Sequence, residues 1–224
     1  MENAPKLFFV SALFVAITTV LSELQFRLPG TSAAFERFLE RVSEGEIPSL
    51  LMLYSGLRPY GLALAAVLML MLPVLNAGYM SYCMKICRGQ GAEYKDILDG
   101  FLYFGKILLI FIVTSVLVFL WSLLLIIPGI VARYRYRQAY YILLDDPSKG
   151  AFQCIRESKQ LMAGRKLDLF LLDFSFLGWY IASLIVILLL PLPFLFPIVS
   201  VWQTPYMGLA QTRYYDTLIS NLVA

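Results

Sequence analysis

FSFLGWYIASLIVILLLPLPFLFPIVSVWQTPYMGLAQT, residues 174–212, runs for 39 residues without one charged side chain, broken only by Pro191, Pro193, Pro197 and Pro205. About 20 mostly apolar residues suffice to cross a hydrocarbon core of ~30 Å, so this stretch holds two passes joined by a proline turn. Similar runs occupy 7–22, 60–84 and 107–132. Composition agrees: 60% hydrophobic and 15% charged residues, with a mean hydropathy of +0.75, where a soluble chain averages about 25% charged. With 224 residues, most of them in or at a membrane, the chain reads as one integral membrane domain, residues 1–224.

The same composition excludes several functions. There is no histidine, which removes His-based acid–base catalysis, Ser/Cys–His nucleophile pairs, haem ligation by His and His-containing zinc sites. A net charge of +3 is small, and its bases gather in loops, which suits control of topology rather than nucleic-acid binding. Cys83 and Cys87 stand one helical turn apart and, with Cys154, could make a three-thiolate site. The plainer reading is three small apolar side chains kept reduced on a cytoplasmic side. No cofactor motif and no ATP-binding loop are read from the chain. The apolar core behind Lys6 has no prompt A-x-A-like cleavage site, so it reads as a first pass and not as a secretory signal.

Counting positive charges orders the passes. A first pass over about 6–26 leads into a loop with five acids (Glu23, Glu36, Glu40, Glu44, Glu46) and four bases (Arg27, Arg37, Arg41, Arg58), which suits the outside. Within that loop Phe35, Phe38, Leu39 and Val42 recur at helical spacing opposite Glu36, Arg37, Glu40 and Arg41. The pattern predicts an amphipathic helix on the outer surface, or one that binds a partner. A second pass over about 59–84 exits into Lys85, Arg88, Lys95 and Lys106, marking the cytoplasmic side. Tyr94, Ile97, Leu98 and Phe101 then form an apolar stripe beside Glu93, Lys95, Asp96 and Asp99, an interfacial lead-in to the next pass.

Residues 107–132 decide the count. As a single pass they would strand Arg133, Arg135, Arg137, Lys149, Arg156, Lys159, Arg165 and Lys166 outside, against the positive-inside rule. A turn at Pro128-Gly129 with a short returning pass over 130–144 keeps the loop 145–166 cytoplasmic. In that loop Asp146-Pro147 predicts the start of an amphipathic helix that Gly164 stops, with Phe152, Ile155 and Met162 on one side and Arg156, Glu157, Lys159 and Gln160 on the other. A fifth pass over about 167–190 and a sixth ending near Arg213 complete an all-α, polytopic bundle of six passes with interfacial helices and both termini cytoplasmic. Five passes is the rival count.

Several motifs, taken in order, resemble a known family. They include Gly78-Tyr79-Met80, Lys95-Asp96-Ile97-Leu98-Asp99-Gly100-Phe101, Phe104-Gly105-Lys106 and Trp121-Ser122 through Ile127-Pro128-Gly129-Ile130. Tyr141-Ile142-Leu143 with Asp146-Pro147, Ser158 through Gly164, Asp168-Leu169-Phe170, Ser175 through Trp179 and Pro205-Tyr206-Met207 complete the set. Together they resemble the bacterial multi-pass membrane family catalogued as domain of unknown function 975, from about Pro73 onward. More distantly, the pass, Pro-Gly, pass and amphipathic-helix layout is similar to the membrane domain fused to some glycerophosphodiester phosphodiesterases. The chain departs from the family in its nearly absent polar N-terminal helix and in its three arginines in the fourth pass. The resemblance implies a bacterial membrane protein and carries no activity with it.

Charged groups inside a span cost at least about 2.5–3.5 kcal/mol each near the centre on insertion scales, so they mark candidate sites. Arg137 lies eight residues before Asp145 and Asp173 seven after Lys166, which puts both roughly 11 Å from the cytoplasmic boundary at 1.5 Å per residue. The two can therefore pair. Arg133 stands one turn beyond Arg137, with Gln138 nearby, giving a candidate binding track of Arg133, Arg137, Gln138 and Asp173 for an anion, a proton or a lipid headgroup. The plainer reading is arginines that snorkel and an aspartate that holds two helices together. A second candidate surface is Arg156, Lys159, Arg165 and Lys166, facing anionic lipid or a membrane-protein partner. The leading functional expectation is a non-catalytic accessory or scaffold protein acting on a membrane complex or on lipid. The alternative is a small transporter or exporter component. An enzyme ranks third, since no nucleophile–base pair or metal-ligand set can be assembled.

Overall fold

The computed structural model describes residues 4–27, 31–45, 59–189 and 195–223, and every regular element among them is helical. In order these are α1 (Ala4–Arg27), α2 (Thr31–Ser43), α3 (Pro59–Cys87), a 3-10 turn (Tyr94–Leu98), α4 (Asp99–Leu102), α5 (Phe104–Leu124), α6 (Ile126–Tyr136), α7 (Ala139–Asp145), α8 (Ala151–Leu161), α9 (Lys166–Ser175), α10 (Leu177–Leu189) and α11 (Leu195–Val223). Among the described residues three segments, Lys6–Leu24, Ala65–Cys87 and Phe104–Leu124, are long and apolar enough to cross a membrane. Along α5, Leu109, Ile112, Val116 and Phe119 stand exposed. A helix that leaves so much apolar surface uncovered has hydrocarbon for its solvent. These apolar helices fit a membrane protein.

The chain divides into two units, one of Met1–Val15 with Pro73–Ala224 and one of Ala16–Leu72. In the smaller unit, α2 carries the expected amphipathic pattern, with Leu39, Val42, Glu40 and Arg41 all exposed, and Gly45 at φ +81° closes it. The loop beyond it (46–58) and the proline turn (190–194) lie outside the described residues.

In the larger unit the core gathers around α7. Tyr141 stacks on Tyr215 of α11 at 5.1 Å, within a cluster of Val74, Ile107, Leu143, Met162 and Leu169. Near the start of the chain, Ser11 and Tyr79 hydroxyls meet at 2.8 Å and Phe14 stacks on Tyr79 at 4.5 Å, fixing α1 to α3. Helix α5 turns back into α6 as an antiparallel hairpin, but the break falls at Leu125, three residues before the expected Pro128-Gly129. Leu125 is extended (φ −162°, ψ 150°) and Pro128 sits in the first turn of α6, where its missing N–H costs nothing. Gly129 serves contact instead: a Cβ there would fall 2.0 Å from Ser122 Oγ.

Three further expectations change in detail. The stretch expected as a fourth pass is two helices, α6 and α7, separated at residues 137–138, and the stretch expected as a fifth is α9 and α10, separated at Phe176. The loop helix begins at Ala151 and not at Asp146, whose carboxylate instead takes the Ser148 N–H (3.1 Å) and hydroxyl (2.5 Å) in a tight turn. Its apolar side, Ala151, Cys154, Ile155 and Leu161, is buried in protein, while Phe152 is 64% exposed. So Phe152 does not share a face with Ile155 and Met162; it stands outward with Arg156 and Lys159.

The lead-in to α5 is likewise folded in. Ile97 and Asp96 are buried, while Tyr94, Leu98, Phe101 and Leu102 face outward. Two glycines allow this approach. A Cβ on Gly78 would lie 1.8 Å from the Ile97 carbonyl oxygen, and one on Gly100 2.1 Å from that of Val74.

Candidate functional site

Asp173, on α9, is the centre of the polar cluster within the apolar helices. Tyr134 and Arg137 lie three residues apart, on one face of the α6 end, and both reach it. Arg137 Nη1 pairs with Asp173 Oδ2, and the Tyr134 hydroxyl donates to the same oxygen at 3.1 Å. Gln211 of α11 donates from Nε2 to Asp173 Oδ1 at 3.2 Å. One carboxylate on α9 thus receives donors from α6 and α11, joining three helices, and the side chains of Arg137 and Asp173 remain 25% and 17% exposed. Phe170 and Phe174 flank the cluster, with Tyr134 edge-on to Phe170 at 5.8 Å. The pairing of Arg137 with Asp173 is the one that their matched depths allowed.

The other members of that candidate track separate. Arg133 is exposed and makes no hydrogen bond or ion pair among the described residues. Gln138 is 1% exposed, opens α7 and has no described partner for its Oε1; it does not bond Asp173. Tyr134 and Gln211 were absent from the sequence reading. The spacing of Tyr134 and Arg137 was a usable sign for the first; the second depends on how α11 packs.

At the charged end of this unit most of the acids are paired. Lys85 bridges Asp96 (2.8 Å) and Asp99 (2.7 Å), with Ser81 donating to Asp99 at 2.9 Å. Arg88 spans Asp145 (2.5 Å) and Asp216 (2.7 Å), tying the ends of α3, α7 and α11. Lys149 holds Glu157 at 2.9 Å and Asp146 at 3.8 Å, and Lys95 holds Glu93 at 2.7 Å. Burial works against the charged form of Asp96, yet the Lys85 ammonium and the Glu93 amide hold its carboxyl below the ordinary range. The same contest at Glu157 is decided downward by Lys149 and Gln153. Against burial, the two carboxylates beside Arg88 push its guanidinium up.

What remains is a basic face. Arg156 and Lys159 on α8 are exposed, Arg165 and Lys166 at the start of α9 are half-buried, and none of their side chains pairs with a described acid. Phe152, Arg156 and Lys159, at i, i+4 and i+7, form one outward stripe. An open cavity of about 400 Å³ lined by Lys6, Tyr82, Glu93, Tyr94 and Lys95 lies elsewhere at this end, and on its rim Lys95 is paired with Glu93. Cys83 and Cys154 are buried and Cys87 half-buried, and no metal-ligand cluster occurs among the described residues.

Comparison with known proteins bears on one part of this arrangement. No curated protein and no solved structure matches the chain. A family model described as "Protein of unknown function (DUF975)" matches residues 122–221, from the end of α5 through nearly all of α11, so the turn and returning arm of the hairpin, the Asp173 cluster and the basic face lie within the stretch that is similar to that family.

Proposed function

We propose that this chain is a non-catalytic accessory or scaffold protein of a bacterial cytoplasmic membrane, crossing it six times with both termini cytoplasmic. It works through the basic face of α8 and α9 on a membrane complex or on anionic lipid. One observation carries this reading. Glu93, Asp96, Asp99, Asp145, Asp146, Glu157 and Asp216 each pair with Lys85, Arg88, Lys95 or Lys149, whereas Arg156, Lys159, Arg165 and Lys166 form no ion pair among the described residues and outnumber the neighbouring Asp168. Bases so placed contribute about 1 kcal/mol each against an anionic surface. The likeness to a membrane domain fused to phosphodiesterases fits a module that serves another protein.

The alternative, a small transporter using the charges of the fourth and fifth passes, draws on Arg137 and Asp173. Their capture by Tyr134 and Gln211 supports a clamp between helices over a moving gate. The test is extraction into native lipid discs followed by mass spectrometry of what is retained. A protein held at fixed stoichiometry by the wild type, and lost when Arg156, Lys159 and Lys166 are changed to Gln without loss of insertion, is the expected result. Retention unchanged by those substitutions sinks the proposal.

A further inference from the structure

We propose that Arg133 binds the phosphodiester group of a phospholipid drawn in from the leaflet on the charged side of the protein. The inference goes beyond the basic face of α8 and α9 and uses a different residue at a different depth. In the stretches read as the fourth and fifth passes, 130–144 and 167–190, the charged side chains are Arg133, Arg135, Arg137, Asp168 and Asp173: three cations and two anions, with Asp168 in the first turn of α9 at the charged end. Asp173 is occupied by Arg137, Tyr134 and Gln211. Arg135 keeps a buried Nε without a partner among the described residues, and Arg133 is exposed with no described partner at all. The cluster therefore carries surplus positive charge where a bilayer supplies no water to absorb it.

Depth and surroundings choose the ligand. Arg133 lies about 12 Å along the helix from the Leu125 turn and about 18 Å from Asp145, by the helical rise. Beyond it toward the turn there is only apolar surface, with Ile126, Ile127, Ile130 and Val131 exposed. All polar groups of the seam lie between Arg133 and the charged end, so the anion enters from that side and goes no further. Snorkelling toward the same side carries the guanidinium to the level of Arg137 and Asp173. Within that seam Arg133 lies in electrostatic range of the Tyr134 hydroxyl that bonds Asp173. A guanidinium fork matches a phosphodiester oxyanion, and the isoleucine and valine surface above it accommodates an acyl chain. Free phosphate shares the oxyanion but has nothing to place against that apolar surface.

The test uses the full chain, purified, reconstituted in equal parts phosphatidylglycerol and phosphatidylcholine, and re-extracted. Phospholipid retained through delipidating detergent washes is counted by native mass spectrometry. Wild type should retain phospholipid, Arg133→Gln should lose about tenfold in retention, the scale of one charge-assisted contact, and Arg133→Lys should keep part of it. Lys95→Gln, which removes an exposed lysine belonging to neither proposed site, should retain lipid normally, so a general loss of positive charge is told apart from the loss of Arg133. No retained phospholipid, or equal retention by a correctly folded Arg133→Gln, overturns the proposal. So does displacement of the lipid by inorganic phosphate, which would make the site one for a free anion.

Discussion

At the residue scale, three positions carry more of the fold than their size suggests. Gly78 and Gly100 admit each other's backbone neighbours, and added methyl groups would sit 1.8 Å and 2.1 Å from carbonyl oxygens that cannot swing away. Gly78→Ala and Gly100→Ala should each destabilise the protein by about 1–3 kcal/mol or more, read as a lower melting temperature in detergent. Gly105→Ala meets nothing within 4 Å and should be neutral or mildly stabilising. Asp96 is the third. Its folded-state carboxyl titrates below the unfolded value of about 3.9, so its contribution is present above that pH and is lost as pH falls through the lower folded value. Stability measured against pH should hold between neutrality and about pH 5, then drop below about 4. Asp96→Asn should flatten part of that drop, and an unaltered acid limb would refute the role. The motifs holding Gly78 and Gly100 were visible in sequence, but their reciprocal contact was not, because a close approach between α3 and the turn before α5 leaves no periodic trace.

At the scale of elements, the hairpin of α5 and α6 shows what charge counting can reach. The eight bases beyond it call for a return across the membrane, and α5 and α6 do form an antiparallel hairpin. Its turn was misplaced because proline fits the first turn of a helix as well as it breaks one, while the extended Leu125 has no residue signature. The glycine beside that proline is spent on Ser122. Gly129→Ala should loosen the hairpin, and Ser122→Ala should rescue it only in part, since Ser122 Cα and Cβ would still lie 2.9 Å from the new methyl. Full rescue would mean that the hydroxyl alone sets the spacing. The helix α8 was misread in a different way. Phe152, Ile155 and Met162 were expected on one side, but burial of Ala151, Cys154 and Leu161 turns the helix inward and leaves Phe152 outside. Small residues such as alanine and cysteine weigh little in a hydrophobic pattern and a great deal in close packing. The Asp173 cluster makes the same point from the other side. Helix rise placed Arg137 and Asp173 at one depth, whereas Gln211 arrives from a helix whose register only packing decides. Asp173→Asn should therefore cost about 1–3 kcal/mol by leaving a guanidinium unpaired, and Arg137→Gln in the same chain should recover part of that loss. Additive losses in that double-mutant cycle would show that the two side chains do not act together.

For the whole molecule, the apolar runs and the absence of histidine were legible from composition alone. The number of crossings rests on where the loops fall. Most acids at the charged end are paired with Lys85, Arg88, Lys95 and Lys149, so the unpaired bases of α8 and α9 dominate one end, and the proposed orientation puts that end on the cytoplasmic side. The most direct measurement of this account is labelling of single cysteines in a chain whose Cys83, Cys87 and Cys154 are replaced by alanine. Glu40→Cys and Lys159→Cys are each exposed to a membrane-impermeant maleimide in intact and in opened cells. Six passes with a returning hairpin predict that the Glu40→Cys chain labels in intact cells and the Lys159→Cys chain only after opening. Labelling of both from the same side would contradict the hairpin's return and, with it, the cytoplasmic basic face.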